Sequence, residues 1–305
     1  MKKIYFNWYM LLFFSLVIFN TTVGWANPQE SNQLSSGAGM FTMSETTGVN
    51  NDNLRVFYYR PSTWTPEKEI VIVLHGVQRN AEEYRNQWEK YADTYNLLVI
   101  CPDFSADKYP GVGYYNVGNM MNTDNENGIV QSREKWIFPV IDRVFDEVHA
   151  RVSATTDTYT LFGHSAGAQF VHRYFLFSLE SKAKKIISAN AGWYTMPDRE
   201  APFPYGLKNI AITNEDLAKA FAKPVTILLG ENDVKTGGVL RHTELADGQG
   251  INRFERGNNF FAMAKDKAEA LGVPFNWKLI TVPGVGHSDG GMAAAAAKLI
   301  ASGEE

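Results

Sequence analysis

Cysteine is almost missing: Cys101 is the only one in 305 residues, so no disulfide can close within the chain. The fold must rest on an apolar core, and 45% hydrophobic residues is ample for one. Basic runs are missing beyond the N-terminus. Lys and Arg number 29 against 33 Asp and Glu, a net charge of −4. Nucleic acid and anionic membrane surfaces are therefore poor partners. No spaced cluster of His, Cys and Asp suggests a metal site, so no metal is expected. There is no internal repeat and no interdomain linker, which points to a single domain.

Long apolar runs are equally scarce. The longest lies in MKKIYFNWYMLLFFSLVIFNTTVGWAN, where two lysines precede an apolar run from Tyr9 to Phe19 and a small-x-small exit follows at Gly24-Trp25-Ala26. That order predicts a secretory signal peptide over residues 1–26, with an uncleaved anchor as the alternative. The run is short for a membrane span, so no stable membrane insertion is expected after cleavage. No cysteine lies near the cut, which argues against a lipid anchor. Residues 27–48, rich in Ser, Asn, Gly and Thr, read as a flexible leader. Residues 49–305 remain as the folded domain of a secreted or periplasmic protein.

What is present alternates between strand-like and helix-like runs. EIVIVLHG (Glu69 to Gly76) and NLLVICPDF (Asn96 to Phe104) are continuous and apolar, as strands buried on both faces should be. Between them, Tyr84, Trp88 and Tyr91 recur at helical spacing from Asn80 to Tyr95. A Gly- and Asn-rich loop follows (Lys108 to Gly128), then a helix from Gln131 to His149 carrying Trp136, Val140, Val144 and Val148. TYTLFG, KKIISANAG, PVTILLG and FNWKLITVPG supply four more strands, with a helix from Ala166 to Leu179 and a closing one from Gly291 to Ala301. This order predicts an α/β fold with a doubly wound, mainly parallel sheet. The polar, Gly-rich segment Lys235 to Asn259 reads as a loop that shapes a site.

Gly163-His164-Ser165-Ala166-Gly167 stands between a strand and a helix and fits G-x-S-x-G. A serine on so sharp a turn needs small residues two positions either side, and its Oγ projects at a helix N-terminus that favours negative charge. Ser165 is thus a candidate nucleophile; a serine capping the helix is the plainer reading. A serine hydroxyl needs a base near neutral pKa, itself oriented by a third group. On such a turn those partners follow in the order acid, then His, on loops after later strands. His287 lies between the last strand and the last helix, and Asp233 follows PVTILLG, with Glu231 as runner-up for the acid and His242 next for the base. Two backbone N–H groups should hold the oxyanion: those of Ala166 and of Val77, in the loop that His75-Gly76 shapes.

These residues resemble the α/β-hydrolase superfamily from about Leu54 to Ser302, and within it the secreted esterase and polyhydroxyalkanoate-depolymerase-like group. The resemblance lies in the LHG loop, the G-x-S-x-G turn, and the late aspartate and histidine. Members of that group often carry a cysteine after the HG, where this chain has Val77. The resemblance implies a serine hydrolase acting on a small-molecule or polymeric ester without cofactor. A peptidase on the same fold and a non-catalytic exported binding protein are the alternatives. His75, Tyr115 and Trp193 are candidate substrate-binding residues, with Tyr114, Asn116 and Tyr194 beside them; aromatic cover for the core under loops is the alternative reading. Arg253 and Arg256 stand ready to hold an acidic group on the substrate, unless they are simply solvated loop arginines.

Overall fold

Strands without polar residues need cover on both faces. The computed structural model describes residues 1–3 and 33–303, and it places such strands at the centre of one sheet. The strands are β1 (Gly37–Met43), β2 (Leu54–Arg60), β3 (Ile70–Leu74), β4 (Leu98–Pro102), β5 (Tyr159–His164), β6 (Ala183–Ala189), β7 (Val225–Gly230) and β8 (Lys278–Val282). Their spatial order is β1-β2-β4-β3-β5-β6-β7-β8. β1 and β2 run antiparallel to their neighbours, and from β4 through β8 every pairing is parallel.

The helices are α1 (Ala81–Tyr95), α2 (Gly111–Tyr114), α3 (Pro139–Val152), α4 (Ala166–Phe177), α5 (Asn214–Phe221), α6 (Glu244–Asp247), α7 (Arg253–Leu271) and α8 (Asp289–Ala301). α1 and α8 cover one face, where Tyr84, Trp88, Met292 and Ala296 pack on Val71, Val73, Phe162 and Leu228. α3, α4, α5 and α7 cover the other, where Val144, Phe170, Leu217 and Phe260 join Ile72, Leu74, Leu161 and Ile227. Strand order reverses between β3 and β5, and a crevice opens beyond the carboxyl ends of parallel strands at such a point. The loops that leave β3 and β5 carry Val77 and Ser165.

Three expectations need correction. Residues 37–43, within the segment read as a flexible leader, pair with β2 and bury Phe41 and Met43. Glu45 just beyond is clamped by Arg143 through hydrogen bonds of 2.8 and 2.9 Å. The helix expected from Gln131 begins as an α-helix only at Pro139, whose missing N–H suits a first helical position; before it there is a short 3-10 turn, Arg133–Lys135. The segment 235–259 is not loop throughout: it holds α6 and the first turns of α7, whose N-cap Asn252 accepts from the Glu255 N–H. The expected signal peptide falls on residues 1–26, of which all but the first three lie outside the described residues.

Candidate active site

Everything at the site begins with the turn out of β5. Ser165 has φ 57° and ψ −112°, a conformation outside the ordinary regions for a residue with a side chain. Close packing holds it there. A methyl group on Gly163 would come within 2.4 Å of the Gly167 carbonyl oxygen, and one on Gly167 within 2.3 Å of that of Leu74. Both glycines let α4 press against β5 and β3, and all 12 residues of α4 are buried. The Ser165 hydroxyl makes no capping bond to the helix. It lies 3.0 Å from Nε2 of His287 instead.

Nδ1 of His287 lies 2.7 Å from Oδ2 of Asp233, which is 1% exposed. A carboxylate only accepts, so Nδ1 carries the proton and Nε2 is left to accept from the serine hydroxyl. The loops bearing the two residues are laced together: the Asn232 N–H donates to Val285 O at 2.8 Å and that of Glu231 to Val282 O at 3.1 Å. Asn190, at φ 53°, ties both to the sheet. Its Oδ1 accepts from the Gly230 N–H at 2.8 Å and its Nδ2 donates to Gly286 O at 3.1 Å. Glu231 is exposed and accepts from Thr281, while His242 is bonded to Asp247 and Thr236 O. Neither takes part in the chain.

His164, inside the turn, packs against His287 with tilted rings whose centroids are 4.8 Å apart, and a 2.8 Å hydrogen bond joins its Nδ1 and the Tyr84 hydroxyl. Burial, with His287 and Arg253 nearby, holds its pKa well below the ordinary histidine value, so it backs His287 as a neutral ring.

A cavity of about 180 Å³ opens at Ser165, lined among others by Val77, Ala166, Gln169, Trp193, Arg241 and Arg253. Among the described residues no acceptor takes the N–H of Val77 or of Ala166. Two free N–H groups beside a hydroxyl hydrogen-bonded to an imidazole form an arrangement that could support acyl transfer.

The candidate binding residues divide. Trp193 lines the cavity, held between the guanidinium groups of Arg173 at 4.2 Å and Arg241 at 4.8 Å. His75 and Tyr115 are fully buried and do not line it. Nε2 of His75 accepts from the Phe104 N–H at 3.1 Å and its Nδ1–H donates to Gly76 O at 3.0 Å. Burial pushes its pKa down to about 3. Tyr115 donates to His75 O at 2.8 Å and lies under Arg79. Both are packed at the base of the loop that carries Val77, outside the cavity lining. Tyr194 is core, stacked on Phe260 at 4.4 Å. Sequence reasoning missed Gln169, Arg241, Val112 and Val239 in the lining and Asn190 behind it. Gln169 was within reach, since it lies one helical turn past Ser165.

An eight-stranded, mostly parallel sheet with a strained serine at the turn after its central strand defines an α/β-hydrolase. The solved structures agree. A poly(aspartic acid) hydrolase from Sphingomonas sp. KT-1 is 38% identical, over 88% of this chain and 99% of that one, with a TM-score of 0.81. LpqC, a poly(3-hydroxybutyrate) depolymerase from Bordetella parapertussis, is 34% identical over 88% and 92%, with a TM-score of 0.81. FphF, a fluorophosphonate-binding serine hydrolase of Staphylococcus aureus, shares the fold at 16% identity over 87% and 98%, with a TM-score of 0.55. No family model matches the chain, and no curated protein does. The chain belongs to the α/β-hydrolase superfamily, in its polyhydroxyalkanoate-depolymerase-like group of esterases, and is a hydrolase.

Proposed function

We propose that the chain is an exported serine hydrolase that cleaves carboxylic esters through an acyl-enzyme on Ser165. The observation that carries this reading is the unbroken hydrogen-bonded chain from Ser165 through His287 to Asp233. As Oγ attacks the ester carbonyl, Nε2 of His287 takes its proton and Asp233 stabilises the imidazolium. The N–H groups of Val77 and Ala166 receive the negative charge on the carbonyl oxygen. The intermediate collapses, His287 protonates the departing alcohol, and the acyl group remains on Ser165. Water, deprotonated by the same imidazole, then releases the acid and restores the serine.

The test is hydrolysis of p-nitrophenyl acetate by wild type and Ser165→Ala. Loss of at least about 10³-fold in kcat is expected in the variant; an unchanged rate contradicts the reading. Amide cleavage is the second reading, supported by the poly(aspartic acid) hydrolase among the neighbours. A chromogenic peptide tested beside the ester separates the two. Export rests on the N-terminal sequence, and the mass of the mature protein tests it: a chain beginning at Asn27 is expected. A mature chain beginning at Met1 contradicts cleavage.

A further inference from the structure

Two arginines, Arg241 and Arg253, line the cavity, and two more, Arg173 and Arg256, donate to carbonyls of its lining residues. Arg173 donates to Thr195 Oγ1 and to the carbonyls of Asn116, Gln169 and Pro204. Arg241 is held by Asp124 and by the Tyr205 hydroxyl. Arg256 donates to the carbonyls of Gly250, Gly192 and Arg241 and to Asp247. Arg253 differs. It is 4% exposed and lines the cavity beside Ser165, yet its Nε is buried without a hydrogen-bond partner. Its Nη1 forms an ion pair with Oδ1 of Asp233 at 3.6 Å, a separation beyond hydrogen-bond length. That oxygen has no hydrogen-bond partner either.

A buried guanidinium with spare donors is costly to keep unless something fills them, and its planar fork matches a carboxylate. The walls beside it, Val112, Val239 and Trp193, are apolar, which strengthens a charge pair formed there. The side of the substrate can also be assigned. The cavity is lined by Ser165, Val77 and Ala166 but not by His287, which must face the leaving group to protonate it. The cavity therefore receives the acyl group.

We infer that Arg253 binds a carboxylate on the acyl group, so that the enzyme prefers esters of acids bearing a second, negatively charged carboxyl a few bonds from the scissile carbonyl. The inference rests on Ser165 being the nucleophile. Arg256, the other arginine that sequence suggested for this task, lies outside the cavity lining, and its Nε and both Nη groups already donate to the protein.

The experiment compares kcat/KM for mono-4-nitrophenyl succinate and its uncharged isostere, 4-nitrophenyl 4-methylpentanoate. Leaving group and chain length are the same, so the ratio isolates the carboxylate. Wild type is expected to favour the succinate by about tenfold to a hundredfold, the range of a hydrogen-bonded charge pair. Arg253→Met should bring the ratio to about one, and Arg253→Lys should retain part of the preference. Any general effect on Asp233 acts on both esters and cancels in the ratio. If Arg253→Met is inactive on both esters, the Arg253→Lys ratio decides: equal to wild type, it overturns the inference. A wild-type ratio near one, or a preference that survives Arg253→Met, also overturns it. If Ser165→Ala still hydrolyses the neutral ester, the serine reading itself fails, and the two failures remain distinct.

Discussion

At the residue scale the account turns on which carboxylate orients His287. Asp233 and Glu231 are two positions apart on one turn, and sequence alone favours the shorter side chain without excluding the longer. In the structure the Asp233 carboxylate is buried against the imidazole, while Glu231 points to Thr281 on the exposed side. Asp233→Asn should lower kcat by about 10⁴-fold, since an amide in that place favours the wrong tautomer of His287. Glu231→Gln should leave the rate nearly unchanged. Steady-state kinetics of both variants decides the matter, and a larger loss in Glu231→Gln contradicts the assignment. The strained serine and its flanking glycines were legible because backbone geometry dictates residue type locally. Asn190 and Arg241 were not: their segments were marked, Asn190 in the strand before Trp193 and Arg241 in the 235–259 segment, but which side chain of each segment turns to the site depends on packing that neither local sequence encodes.

At the scale of elements, β1 shows where composition misleads. GAGMFTM looks like leader sequence, yet every second residue from Phe41 is buried and the strand is completed by β2. LRVFYYR also alternates, burying Leu54, Val56 and Tyr58, a period-2 signal that is weak over so short an antiparallel strand. The clamp behind β1 is testable. Burial pushes the Glu45 carboxyl up, but hydrogen bonds from Arg143 and Thr47 outweigh it and hold its pKa below the usual 4.5. A depressed folded-state pKa contributes stability above the unfolded value, and that contribution is lost as pH falls through the folded one. Arg143→Ala should therefore destabilise the protein by about 2 kcal/mol at pH 7. In urea unfolding, that gap from wild type should narrow as pH drops below 4.5. A gap that stays constant into strong acid contradicts the account of the clamp.

For the whole molecule, the parallel core was the most legible part, because strands buried on both faces are written as continuous apolar runs. Its less visible consequence is a set of neutral histidines locked among them. His75, His164 and His172 are buried, and burial depresses all three pKa values, that of His75 from 6.5 to about 3. Once unfolded, they take up protons below about pH 6.5, which the folded state refuses, so stability rises with pH across that window and falls on acidification. Each contributes up to about 1.4 kcal/mol per pH unit. Urea unfolding should therefore show a loss of about 3–4 kcal/mol between pH 6.5 and 5.5, before the carboxylates titrate. A flat profile over that interval would mean that the three rings are charged or hydrated in the folded state.

The most direct measurement is to label the protein with a fluorophosphonate probe and locate the adduct by peptide mass spectrometry. A single adduct on Ser165 is expected, absent from Ser165→Ala and formed far more slowly in His287→Ala. An adduct on another residue, or no labelling of the intact folded protein, contradicts the assignment of Ser165 as the nucleophile.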